Sequence, residues 1–146
     1  MTGVLVLVGT LVLAAIAGIA LRFREGRIRG VDKAPAPESA GLPEDVRQLL
    51  DPEAAVTLVQ LSTTFCAPCR QARRLLTDLA SRTERLHHAE LDLTNRPDLA
   101  RALSVLRTPT TLAVDAGGAE LLRVGGVPNR DALLDALRPH LDAQDR

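Results

Sequence analysis

The chain has 146 residues, 46% hydrophobic and 25% charged, with eighteen basic and eighteen acidic side chains that cancel to zero net charge. That balance excludes a disordered polyelectrolyte and gives no electrostatic footprint for nucleic acid, and the length suits one domain of about 100 residues plus an added segment. Aromatic residues make up 1% of the chain, so its core must be built from Leu, Val and Ala.

The added segment comes first. No charged side chain occurs from Met1 to Leu21, and residues 4–21 are almost all Val, Leu, Ile, Ala and Gly. As a helix this run would reach about 31 Å, enough for a bilayer core, so residues 1–22 are predicted to form one transmembrane anchor. The competing reading is a cleaved signal peptide, but the basic n-region is missing and no small-x-small site follows the run. Arg22, Arg24, Arg27 and Arg29 stand against only Glu25 just after it. The positive-inside rule then places these arginines, and everything after them, in the cytoplasm of a single-pass cell-membrane protein. Residues 23–42 are predicted to be a basic flank and a flexible linker, since Gly30 to Gly41 is rich in Pro, Ala and Gly and has no apolar period.

Residues 43–146 read as one folded domain. Pro43 suits a first helical position, Glu44 and Asp45 complement the helix dipole, and Val46, Leu49 and Leu50 give one apolar side before Asp51-Pro52. Ala55 to Leu61 is aliphatic and β-branched, the pattern of a buried strand. It runs into Thr64-Phe65-Cys66-Ala67-Pro68-Cys69-Arg70, which holds both cysteines of the chain. Beyond Cys69, the residues Ala72, Leu75, Leu76, Leu79 and Ala80 recur at helical spacing. Leu86 to Leu93 is the next strand, and Asn95-Arg96-Pro97-Asp98 starts a helix with Leu99, Ala102 and Leu103 inward. Thr110–Val114 and Glu120–Val124 are strands joined by a turn at Asp115–Gly118. Asn129 caps a last helix whose Leu133, Leu134, Leu137 and Leu141 face the sheet. This order predicts an α/β fold, a mixed sheet with helices on both faces.

The cysteine pair therefore sits where a strand feeds the first turn of a helix. Free backbone N–H groups and the positive end of the helix dipole favour a thiolate on Cys66, the nucleophilic form. Cys69 lies one turn further, about 5.5 Å away between Cα atoms, a span a disulfide can bridge. Pro68 is tolerated in a first turn. Cys66 would attack and Cys69 would resolve. A purely structural disulfide is the bland alternative, although so short a loop removes little unfolded-state entropy. Half of a metal site is another, although there is no second cysteine pair, His87 and His88 would point to opposite faces of a strand, and His140 falls in the terminal helix.

Phe65-Cys66-Ala67-Pro68-Cys69 resembles the active-site box of the thioredoxin family, Thr108-Pro109-Thr110 its cis-proline segment, and Val124-Gly125-Gly126 its glycine turn after the last strand. The spacing from Cys66 to Pro109 needs no gap, and the resemblance covers about residues 43 to 142. It implies a thioredoxin-like fold in which Cys66 and Cys69 form the redox couple, with no dissociable cofactor and no metal. It also implies a cis bond at Pro109, with Thr108 beside the Cys66 sulfur and its backbone free to pair with a bound peptide. Phe65, Ala67, Pro68, Thr108 and Gly125 would line the substrate.

Four positions depart from the family pattern. Phe65 replaces a tryptophan and is expected to keep an apolar wall, Gln60 a buried aspartate, Glu90 a lysine on the neighbouring strand, and Arg74 a helix-kinking proline. Gln60 and Glu90 are expected to form a polar pair below Cys69, with the partly buried Glu90 raised in pKa and taking over proton transfer. A solvated strand acid is the alternative. The short strand that the family carries ahead of its first helix has no candidate here. Taken together, the residues and the resemblance imply a membrane-anchored thiol–disulfide oxidoreductase that reduces protein disulfides, fed by an electron donor the sequence does not name. The alternative is a tethered, non-enzymatic module that binds a thiol partner or a soft metal. By analogy with tethered bacterial relatives, the extracytoplasmic side is the alternative location.

Overall fold

The computed structural model describes residues 2–24, 28–30 and 41–142. In chain order, helix α1 (Thr2–Arg24) and strand β1 (Ile28–Gly30) precede α2 (Glu44–Arg47), β2 (Val56–Ser62), α3 (Ala67–Ser81) and β3 (Leu86–Asp92). They are followed by α4 (Pro97–Ala102), β4 (Thr110–Asp115), β5 (Glu120–Gly125) and α5 (Arg130–Asp142).

The aliphatic run of β2 lies inside the sheet, between β4 and β3, with both of its faces covered, and every one of its residues is buried. The strand order is β1-β5-β4-β2-β3. β3 is parallel to β2, with Gln60 opposite Glu90, while β4 is antiparallel to β2, and β5 to β4. The two faces of β2 feed two cores. Val56 and Leu58 pack with Leu76 and Leu79 of α3 and with Leu133 and Leu137 of α5. Val59 and Leu61 pack with Val46 of α2 and with Leu99 and Leu103 around α4. Burial of each such side chain contributes roughly 1.5–3 kcal/mol. Gln60 shares the face of Val56 and Leu58, so the alternation of β2 aims it at the layer that holds α3.

Local chemistry closes the elements where the sequence suggests. The Oδ1 of Asn129 accepts from the Ala132 N–H at 3.0 Å and caps α5. Gly118, at φ +86°, closes the β4–β5 turn, in which the Asp115 carboxylate accepts from the Ala119 N–H at 2.7 Å. Few L side chains adopt that backbone conformation.

Three expectations are corrected. A short strand does precede the first helix of the domain: β1 pairs antiparallel with β5, Ile28 opposite Val124. It falls within the stretch read as flank and linker. Three residues held by backbone pairing carry no alternation that a sequence could display. Second, α2 is a single turn, and Leu49 and Leu50 pack against the core from the turn that follows it. Third, Ala102 is exposed, because α4 ends there and it is Ala100 that packs inward. The spacer at 31–40, together with Glu25 and Arg27, lies outside the described residues.

Among the described residues, no helix is long and apolar enough to cross a membrane. The stretch of α1 with described side chains runs through residues 6–20, all exposed.

Candidate active site

β2 ends at Ser62, and Thr63-Thr64-Phe65 carries the chain to Cys66, the N-cap of α3. Two neighbours hold this loop. The Thr64 N–H donates to Thr94 Oγ1 at 2.8 Å, and the Thr63 and Thr108 hydroxyls lie 3.3 Å apart. Thr94 is itself fixed by the Asp92 carboxylate, which accepts from both its hydroxyl and its N–H; these bonds hold Asp92 below the usual carboxylate range. A buried stripe of Ala72, Leu76 and Leu79 presses α3 onto the sheet and so fixes the helix tip that presents the cysteines.

Cys66 and Cys69 are joined in a disulfide, with their Cα atoms 5.2 Å apart. The Cys66 backbone is extended, at φ −110° and ψ 99°, and its sulfur accepts from the Cys69 N–H at 3.1 Å. Thus one of the orphan donors of the helix tip already points at this sulfur. Cys66 is 9% exposed and Cys69 2%, so an incoming thiol or disulfide reaches position 66 first. Ala67 and Pro68 are exposed beside it.

The Thr108–Pro109 peptide bond is cis, and the Pro109 carbonyl accepts from the Gly126 N–H at 2.7 Å, tying the proline loop to the end of β5. The Gly125 carbonyl accepts from Arg107 Nη2 at 3.2 Å. A Cβ at position 125 would lie 2.9 Å from Arg107 Nε, so glycine there lets Arg107 lie flat on the backbone. Gly125→Ala is expected to push this exposed side chain aside and cost under about 1 kcal/mol in a urea melt. Phe65 does not form a wall. It is 98% exposed, and Leu106, in the proline loop, is 97% exposed. Outside α1 these are the two large apolar side chains that the described residues leave in solvent. Sequence reading passed over Leu106 as a connector; an isolated leucine between a helix and a Thr-Pro step carries no periodic signal.

Below Cys69 lies a polar cluster. Gln60 Nε2 donates to the Cys69 carbonyl at 2.9 Å and reaches Glu90 Oε1 at 3.5 Å. Glu90 Oε1 also accepts from Ser62 Oγ at 2.6 Å and Arg73 Nη2 at 2.7 Å, while Oε2 lies 2.6 Å from Arg73 Nε. Ser62, Cys66, Cys69, Arg73, Glu90 and Asp92 line one shallow cavity of about 330 Å³. The Gln60–Glu90 pair is therefore present, but its proton chemistry differs from the expectation. Burial pushes Glu90 up, yet the Arg73 and Ser62 hydrogen bonds and the Arg73 charge outweigh it, and the carboxyl sits below its ordinary value. A carboxylate clamped in this way is a poor proton acceptor near neutrality. The upward shift expected of Glu90 is corrected accordingly: in this structure its carboxylate is held by Arg73 and Ser62.

The sign of that shift gives a test. Glu90 releases its proton more readily folded than unfolded, so its contribution to stability is present above the unfolded glutamate value, about 4.3. It is lost as pH falls through the lower folded value. Urea midpoints taken from about pH 5 down to about pH 3 should fall more steeply for the native chain than for Glu90→Gln. The turnover profile above pH 5 should carry no Glu90 ionisation.

The histidines lie apart from the cysteines. His87 faces Asp51 at 3.6 Å, and His88 Nδ1 lies 3.1 Å from Thr77 Oγ1. Among the described residues, no group of three or more His, Cys, Asp or Glu is placed to hold a metal ion.

The thioredoxin family model matches residues 43–139. The chain is 33% identical over 78 residues to the bifunctional thioredoxin reductase/thioredoxin of Mycobacterium leprae (strain TN), a match that takes in 53% of this chain but 17% of that protein. Among solved structures, it is similar to a mutant thioredoxin from Halobacterium salinarum NRC-1, with TM-score 0.59 and 23% identity over 68% of this chain and 86% of that one. It is also similar to a Fasciola hepatica thioredoxin, with TM-score 0.55 and 24% identity over 66% and 91%. These two likenesses speak for the fold.

Proposed function

Because this chain belongs to the thioredoxin family and carries the redox pair of a thiol–disulfide oxidoreductase at the head of α3, we propose that it reduces disulfides in client proteins while tethered to a membrane. The observation that carries this reading is the Cys66 sulfur at the helix N-cap, more exposed than Cys69 and facing a backbone N–H. In the reduced protein, the Cys66 thiolate attacks one sulfur of a client disulfide, and the other client sulfur departs and takes up a proton. The mixed disulfide is then attacked by Cys69, which loses its proton. The second client sulfur departs as a thiol, and Cys66–Cys69 becomes a disulfide, the state seen here. Each turnover moves two electrons to the client, so a dithiol donor must return two electrons to the pair. Reduction of insulin by dithiothreitol tests the step: the protein should accelerate it well above reductant alone. No acceleration would favour a tethered module that only binds a thiol partner or a soft metal.

The tether rests on the uncharged run from Met1 to Leu21 and on the exposed side chains along residues 6–20 of α1. The arginines just after the run favour a domain on the cytoplasmic face. A membrane-impermeant maleimide applied to intact cells under reducing conditions should then leave Cys66 unlabelled until the cells are permeabilised. Labelling of intact cells would put the domain on the outer face.

A further inference from the structure

We propose that a cleft on the flank of α3 recognises an acidic segment of the client next to its disulfide, a specificity that rests on the exchange reaction proposed above. The cleft, about 600 Å³, is lined by Ala67, Arg70, Gln71, Arg74 and Leu75 of α3 and by Arg130 at the start of α5. Ala67 directly follows Cys66, so the cleft begins one residue along the chain from the reactive cysteine.

The arginines there differ from the rest. Between residues 41 and 142 every other arginine has a partner in the domain. Arg47, Arg73, Arg82, Arg96, Arg101, Arg123, Arg130 and Arg138 meet carboxylates. Arg85 and Arg107 donate to the carbonyls of Leu141 and Gly125. Among the arginines of residues 41–142, Arg70 and Arg74 are left with none. Their placement does not serve the helix. They stand four apart, where like charges repel, and Arg70 lies in the first turn of α3, the wrong end of its dipole for a cation. An anion from outside reverses both effects. Arg130 adds a third guanidinium, already held from behind by Asp78, whose carboxyl Arg130 and Arg82 keep low and therefore charged. Guanidinium forks match carboxylates in two-point pairs, and Leu75 offers an apolar surface for the methylenes of an Asp or Glu side chain.

The test uses the full chain in zwitterionic detergent and two peptides that differ only in acidic or neutral residues flanking one cysteine. Affinity is first read with that cysteine changed to serine, which needs no redox step; reduction rates are then read with the disulfide-linked forms. The acidic peptide should bind about fivefold more tightly, the sum expected of a few exposed ion pairs. Its kcat/KM should be favoured by a similar factor, and both preferences should fade at high salt. Arg74→Glu should bring both ratios to about one. Equal affinities for the two peptides would overturn the proposal, and so would a preference that survives Arg74→Glu. If the peptides bind equally while phosphatidylglycerol vesicles shield Arg70 and Arg74 from an arginine-selective glyoxal, the cleft serves lipid headgroups instead. Failure of reduction with both peptides, with the affinity difference intact, would instead count against the exchange reaction.

Discussion

Cys66→Ser is expected to lower disulfide reduction at least about a hundredfold, to the rate of the reductant alone, because a serine hydroxyl does not supply the ionised nucleophile that exchange requires. Cys69→Ser should behave differently. It keeps the attacking sulfur but removes the one that resolves the mixed disulfide, so client proteins should accumulate as covalent adducts that dithiothreitol releases. Turnover assays and non-reducing gels of the two variants separate the roles. The asymmetry follows from the structure: Cys66 is the more exposed residue and its sulfur accepts the helix-tip N–H, while Cys69 is packed beneath it with its carbonyl held by Gln60.

Leu76→Ala is expected to have the largest effect on stability among single changes near the site. Leu76 is fully buried in the core that joins α3, β2 and α5. Truncating such a residue typically costs about 2–5 kcal/mol, from lost transfer energy together with the cavity left behind. Domains of this size are stabilised by only about 5–15 kcal/mol, so the urea midpoint should drop by a large fraction of its native value. α3 also carries both cysteines, and a loosened helix holds their sulfurs less firmly. The fraction of Cys66–Cys69 disulfide at a fixed glutathione ratio should shift along with the midpoint. Leu75→Ala, a partly buried neighbour, should cost clearly less.

Much of this architecture could be read from the sequence because its signals are local. The aliphatic run of β2, the helical spacing of Ala72, Leu76 and Leu79, the Asn129 cap and the turn at Gly118 are each decided by a few adjacent residues. The same holds for the box around Cys66 and Cys69. What escaped depends on partners remote in the chain. The protonation of Glu90 is settled by Arg73, seventeen positions earlier, and by Ser62 on the neighbouring strand; from burial alone the shift takes the opposite sign. β1 is defined by the backbone of β5 across the sheet, and nothing in its own three residues announces it. The exposure of Phe65 depends on which side chains stop short of it, and spacing does not carry that. The partnerless state of Arg70 and Arg74 appears only once every other arginine of residues 41–142 has found its counterpart.

The account turns on Cys66 being the sulfur that meets the client. The most direct measurement reduces the full chain, alkylates it briefly with iodoacetamide near neutral pH, and locates the label by mass spectrometry. Cys66 should react at least about tenfold faster than Cys69 and faster than a free cysteine in the same buffer. Labelling that falls first on Cys69, or that proceeds on both at the rate of the free amino acid, would contradict it.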